Sequence, residues 1–169
     1  MVLLLACGFA RAAEPATRPV PVAAIWLETG YPIPGQREDE WRKLIIGIWS
    51  DGTIVWSAAD AGSGKPYLTA KLDRADIEKL LKDLDAIGFF DDAEVNRHRN
   101  RYPPDAAHTV IAAESGEKKQ RLALWRDPPK DRFGEVWTEA RKRLESLRPS
   151  DGKAVETIDQ GIHLARRVR

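Results

Sequence analysis

The sequence predicts an α+β domain: a mostly antiparallel sheet of four to six strands packed with two helices, in the order β-ββ-(β)-α-ββ-α. Three observations predict it. Two apolar runs flank Ser50-Asp51-Gly52-Thr53, a hairpin signal. Ile77, Leu80, Leu81, Leu84 and Ile87 recur at helical spacing, as do Phe133, Val136, Trp137, Ala140, Leu144 and Leu147. Between those stripes, His108 to Ala113 and Gln120 to Trp125 read as strands around the turn Glu114-Ser115-Gly116-Glu117, whose register the pattern leaves open.

The elements follow in chain order. Val2 to Ala10 is an apolar run closed by Ala10-Arg11-Ala12, an A-x-A cleavage site, so residues 1–12 read as an export signal. The run is too short to cross a bilayer, which takes about 20 apolar residues. No Lys or Arg precedes it, and a start further upstream would supply one. Leu4-Leu5-Ala6-Cys7 also resembles a lipobox, which would make Cys7 an acylated anchor. The A-x-A site favours removal of Cys7 with the signal, and either route exports the chain. Residues 13–22 form a Pro-rich linker, residues 23–148 the domain and residues 149–169 a tail.

Ala23 to Leu27 is a short apolar strand, and Thr29 to Glu40 a loop with two prolines and two glycines. With Asp51 and Gly52 as a two-residue turn, Ile48 faces Val55, Trp49 faces Ile54 and Gly47 faces Trp56. The indole can then lie over the bare glycine. Ile46, Ile48 and Val55 fall on one face; Ile45, Trp49, Ile54 and Trp56 fall on the other. Both faces are apolar, which predicts a central hairpin or one covered on both sides. After the loop Ala58 to Pro66, Tyr67 to Leu72 offers a further short strand.

Asp73 is a natural N-cap, with Asp76 completing a capping box and Leu72 and Ile77 in staple positions. Gly88 ends this helix in a left-handed cap, and Phe89 and Phe90 turn into the core. Asp91 to Asp105 is polar and irregular. Asp127-Pro128 or Asp131 opens the second helix, whose basic last turns suit the negative end of its dipole; Pro149 stops it.

Composition bounds function. The chain has 169 residues, 43% of them hydrophobic, and a net charge of +1, so no global field recruits nucleic acid or anionic membrane. Cys7 is the only cysteine, which removes thiolate catalysis and cysteine-based metal sites from the mature chain.

Four short patterns suggest chemistry. Gly62-Ser63-Gly64-Lys65 looks like part of a phosphate loop, but Ala59 and Pro66 stand where Gly and Ser or Thr belong, so the stretch reads as a flexible connection. Asp92, Glu94, Asn96, His98 and Asn100 alternate as calcium ligands do. Arg97 and Pro103 then occupy the required Gly and Glu positions, and a solvated loop is the better reading. Arg97, Arg99 and Arg101 beside Tyr102 form a basic cluster fit for an acidic partner. Asp105 and His108 could orient a general base, although His98, His108 and His163 show no metal spacing and no nucleophile elbow exists. No cofactor is expected.

Six tryptophans are many for this length. Most fall in core stripes. Trp41 and the hairpin residues Trp49 and Trp56 are the expected exceptions, and with Arg97, Arg99, Arg101 and Tyr102 they make the predicted interaction surface.

Trp49-Ser50-Asp51-Gly52-Thr53-Ile54-Val55-Trp56-Ser57, the Gly-rich loop to Pro66-Tyr67 and the helix closing in Gly88-Phe89-Phe90 resemble a group of exported bacterial proteins. The likeness covers Lys43 to about Trp125 and implies a fold, since that group has no established activity. The element order is also similar to that of small bacterial inhibitors of secreted metalloproteases, a likeness of architecture. The expectation is therefore an exported, non-enzymatic binding or interaction module of the periplasm or cell envelope, or secreted, with a protein or envelope component as partner. The alternatives are an inhibitor of a secreted protease and a hydrolase-type enzyme using Asp105 and His108.

Overall fold

The computed structural model describes residues 21–30, 41–103 and 105–155. The predicted signal with Cys7, residues 13–20 of the linker, loop residues 31–40 and tail residues 156–169, His163 among them, lie outside the described residues. The elements are β1 (Pro21–Glu28), β2 (Arg42–Trp49), β3 (Thr53–Ser57), β4 (Tyr67–Lys71), α1 (Arg74–Ala86), α2 (Ala93–Arg97), β5 (Asn100–Arg101), β6 (His108–Ser115), β7 (Lys118–Leu124), α3 (Arg132–Ser146) and β8 (Lys153–Val155). One sheet runs β5-β7-β6-β1-β2-β3-β4-β8. Every pair is antiparallel except β5 with β7. The class is α+β, as the sequence predicts. Among the described residues the sheet has eight strands and three complete helices accompany it, beyond the predicted four to six and two. The additions are α2, β5 and β8, each too short to show a period.

The β2–β3 hairpin differs from the predicted register by one residue. Ile48 pairs with Ile54, Gly47 with Val55 and Ile46 with Trp56, which leaves Ser50-Asp51-Gly52 as a three-residue loop. Gly52 takes φ +84°, the left-handed position that closes such a loop. The Asp51 carboxylate accepts from the backbone N–H and the hydroxyl of Thr53, which fixes the longer turn. Because side chains alternate, the slip reassigns the faces. Ile46, Ile48, Ile54 and Trp56 join the main core, while Leu44, Trp49 and Val55 pack with Tyr67 on the other side. Gly47 faces Val55, and the indole over it belongs to Trp49: a Cβ on Gly47 would sit 3.0 Å from that ring. Ile25 pairs with Ile46 and Trp26 with Leu44, so Ile45 is an extra, bulged residue. That bulge lets Ile45 and Ile46 both reach the same core. In the β6–β7 hairpin Ser115 pairs with Lys118, leaving a two-residue turn at Gly116 and Glu117.

All three helices are on one face of the sheet. Helix α1 buries Ile77, Leu80 and Leu84, and α3 buries Phe133, Val136, Trp137, Ala140 and Leu144, against Ile25, Ile46, Ile111 and Leu122 of the strands. The Asp73 side chain makes no cap bond, so the predicted capping box does not form. At the other end the Phe89 N–H reaches Leu84 O and the Gly88 N–H reaches Asp85 O, with Gly88 at φ +82°. This is the Schellman pattern that Gly88 signals. Asp131 caps α3 through the Gly134 N–H at 3.0 Å. Arg132 then joins the two helices, its Nη2 donating to Ile87 O at 2.7 Å and its Nε to Asp92 at 2.9 Å.

After α3 the chain crosses over Trp56 and adds β8 to the β4 edge, beyond the predicted domain end at residue 148. Strand β1 likewise begins at Pro21, inside the predicted linker. No helix among the described residues is long and apolar enough to cross a membrane.

Close approach is tightest at Gly134. A Cβ on Gly134 would lie 1.8 Å from the Pro129 carbonyl oxygen, which is backbone and has little room to yield. Gly134→Ala is expected to lose about 3 kcal/mol in urea unfolding. Gly116→Ala, where a Cβ meets nothing within 4 Å and only φ +60° resists, should lose about 1 kcal/mol. Equal losses at the two positions would contradict this packing.

Candidate functional site

None of α1, α2 and α3 covers the opposite face of the sheet, yet Ala24, Trp26, Val110, Ala112 and Ala123 are buried on it and Tyr102 packs against them. At one end of this face the register brings charges together. Glu28 pairs with Arg42 on β2 and with His108 on β6. Period two then puts Glu28 on the same side as Ala24 and Trp26. Arg121 enters from β7, where it faces Ala112. Its long side chain extends over small residues to reach the same carboxylate.

Glu28 is only 7% exposed, and four donors surround it. Trp26 Nε1 donates to Oε1 at 2.8 Å and Arg42 Nε to the same oxygen at 3.0 Å. His108 Nε2 lies 3.0 Å from Oε2, and Arg121 Nη2 donates to it at 3.1 Å. Two donors on each oxygen fill the lone-pair positions of a carboxylate. Burial alone would raise the Glu28 pKa. The hydrogen bonds from His108 and Trp26 and the charges of Arg121 and Arg42 outweigh it and hold the carboxyl at about 2.

His108 is equally committed. Its Nδ1 lies 2.9 Å from Ala106 O while Nε2 faces Glu28, so both ring nitrogens are turned to oxygen atoms. Tyr102 stacks on the ring with centroids 3.7 Å apart. The expected pairing of Asp105 with His108 is therefore corrected: both ring nitrogens are engaged elsewhere, and Asp105 is exposed. Glu28 and Arg121 carry no local sequence signature of their pairing, because Glu28 meets His108 and Arg121 across 80 and 93 residues. The available signal was a lone acid closing an apolar strand, two residues beyond a tryptophan.

The predicted interaction residues scatter. Trp49 and Trp56 are each 3% exposed and belong to the two cores, so they are corrected from surface to interior. Trp41 is half-buried beneath the Arg42 guanidinium, 4.1 Å from its ring. Arg101 turns to the helix side, ion-paired with Asp131 at 2.7 Å and above the Phe133 ring. Tyr102 lies against His108 on the other side. Arg97 and Arg99 are exposed, and no carboxylate among the described residues pairs with them. A neighbour that the sequence reading passed over is Arg126, exposed at φ +68°, with its guanidinium 3.9 Å from the Trp125 ring.

The other patterns resolve into structure. The Asp92 side chain caps α2, accepting from Glu94 and Val95 N–H groups. Asn96 pairs with Gln120. Among the described residues, no three His, Cys, Asp or Glu side chains converge as metal ligands would. Gly64 donates its N–H to Leu44 O, while its own carbonyl accepts from the Ser57 hydroxyl at 2.6 Å. The segment read as a flexible connection is thus tethered at its end. Beside it is a shallow cavity of about 260 Å³ lined by Lys43, Ser63, Gly64, Lys65 and Tyr67.

Comparison with known protein families, curated proteins and solved structures finds no match.

The Glu28 cluster predicts a pH signature. A carboxyl lowered from 4.5 to about 2 stabilises the fold above pH 4.5, and that contribution is lost as pH falls through about 2. The difference corresponds to about 3 kcal/mol. Glu28→Gln should lose roughly that much at pH 7 and flatten the acid limb of the stability profile. An acid limb identical in the variant and the natural chain would contradict the assignment.

Proposed function

We propose that the chain is an exported, non-enzymatic interaction module that binds a protein or envelope component. Export rests on the apolar run Val2 to Ala10 and the site Ala10-Arg11-Ala12. The likeness to exported bacterial proteins that share the Asp-Gly hairpin and the Gly88-Phe89-Phe90 helix end points the same way. The observation that carries the binding reading is a division of labour among charged groups. The interior acid and base, Glu28 and His108, are engaged on every polar atom. A general base needs an open lone pair within reach of a substrate proton. By contrast, Arg97, Arg99 and Arg126 at the sheet edge face solvent without a carboxylate partner among the described residues. Interfaces draw on arginine and aromatic side chains placed in this way.

The test is affinity capture with the exported chain from envelope and secreted fractions, followed by reconstitution with the purified partner. One saturable partner, competed by free protein, is expected. Loss of activity of a secreted metalloprotease at stoichiometric excess would make that partner a protease. Capture of nothing, or a hydrolytic turnover abolished by His108→Ala, would overturn the proposal.

A further inference from the structure

We infer that the β5 edge, with Arg97, Arg99 and the Trp125–Arg126 corner, is a docking surface for a carboxylate-rich protein segment. This rests on the interaction-module reading and names the chemistry of its partner.

The three arginines of the basic cluster do different things. Arg101 points inward, pinned by Asp131 and stacked over Phe133 at 4.9 Å. It anchors the loop to the N-terminus of α3. The backbone of that loop is also fixed, since Ala123 N–H donates to Arg99 O and Trp125 N–H donates to Arg101 O. Arg99 therefore projects from a held segment rather than from a loose one. Extending the Asn100↔Ala123 register sets Arg99 beside Leu122, so about 13 Å of strand separates it from Arg126 at ~3.3 Å per residue. Two extended guanidinium groups readily span that gap.

Arg126 supplies the second, independent observation. It is the only residue other than glycine at positive φ among the described residues. Glycine would take φ +68° freely, whereas an arginine there carries backbone strain. Strain of this kind concentrates where a side chain is needed in one place. Here the side chain lies flat on the half-buried Trp125 ring, at 3.9 Å. Stacking pre-orients the planar donor fork, which matches a carboxylate with two parallel hydrogen bonds.

The size of the patch selects the partner. Three cations are too few for tight binding of a long polyanion, whose affinity grows with each neutralised charge. The exposed acids Glu94 and Asp127 flank the cluster in sequence and limit its extent. Strand β5 has two residues, too few to template an added strand, so side chains carry recognition. A short acidic segment fits this surface better than a bilayer or a glycan chain.

The experiment titrates the exported chain with a labelled glutamate-rich peptide at low salt, beside phosphatidylglycerol vesicles and heparin. Peptide binding is expected, falling about tenfold in Arg99→Glu/Arg126→Glu and fading as salt rises. Arg126→Gly should weaken binding while its melting temperature holds or rises by a few degrees, since glycine relieves the strain. That pairing separates a docking role from a structural one. No peptide binding, binding indifferent to both variants, or arginine-dependent binding of vesicles or heparin in preference to the peptide would overturn the inference. If an identified partner is captured equally by the natural chain and by the double variant, the patch is wrong and the module reading stands. If neither captures a partner, the module reading itself fails.

Discussion

The arrangement of this protein turns on a single carboxylate. Glu28 sits on the sheet face opposite α1 and α3, at the ends of β1, β2 and β6, and it accepts from side chains on β1, β2, β6 and β7. The ions there would be costly to bury singly, because desolvation exceeds what one pair returns. Multiple donors on both oxygens make the burial tolerable, and Arg42 and His108 are themselves buried around it. The cluster also fixes register. A one-residue slip of β1 would drive Glu28 into the aliphatic core beneath the helices, where no donor waits.

The two faces solve burial differently. Beneath the helices, isoleucines and leucines of the strands meet the stripes of α1 and α3, and Arg132 ties those helices together by a carbonyl and a carboxylate. On the opposite face small residues form the floor. Ala24, Ala112 and Ala123 leave height above the sheet for the arms of Arg121 and for the stacked rings of Tyr102 and His108. Large apolar side chains at those positions would displace the ion cluster that the register assembles.

Local chemistry made much of the fold legible. The stripes of both long helices and the Gly88 stop are written in neighbouring residues and form as read, and of the two starts open to the second helix, Asp127-Pro128 and Asp131, the chain uses Asp131. The hairpin shows where local reading ends. Asp-Gly signals a turn, but the Asp51 bonds to Thr53 select a three-residue loop, and that choice flips every side chain beyond it. Trp49 and Trp56 looked like surface candidates because both faces of the hairpin are apolar; both faces proved to be covered. The Glu28 cluster was invisible for another reason. Its members come from strands that only the sheet order brings together, and no spacing along the chain encodes that order. Two of the three arginines in the basic cluster were readable as exposed charge, whereas the inward turn of Arg101 depended on where α3 begins.

The buried acid and base of this sheet, Glu28 and His108, are committed to cohesion, while Arg97, Arg99 and Arg126 face solvent near the β5 edge. Glu28 is a saturated anchor, ionised throughout the neutral range. Carbon-13 NMR of the Glu28 side-chain carboxyl across a pH series measures this directly. A midpoint near 2 is expected, with the signal flat through neutral pH. A midpoint at or above the ordinary glutamate value of 4.5 would contradict it.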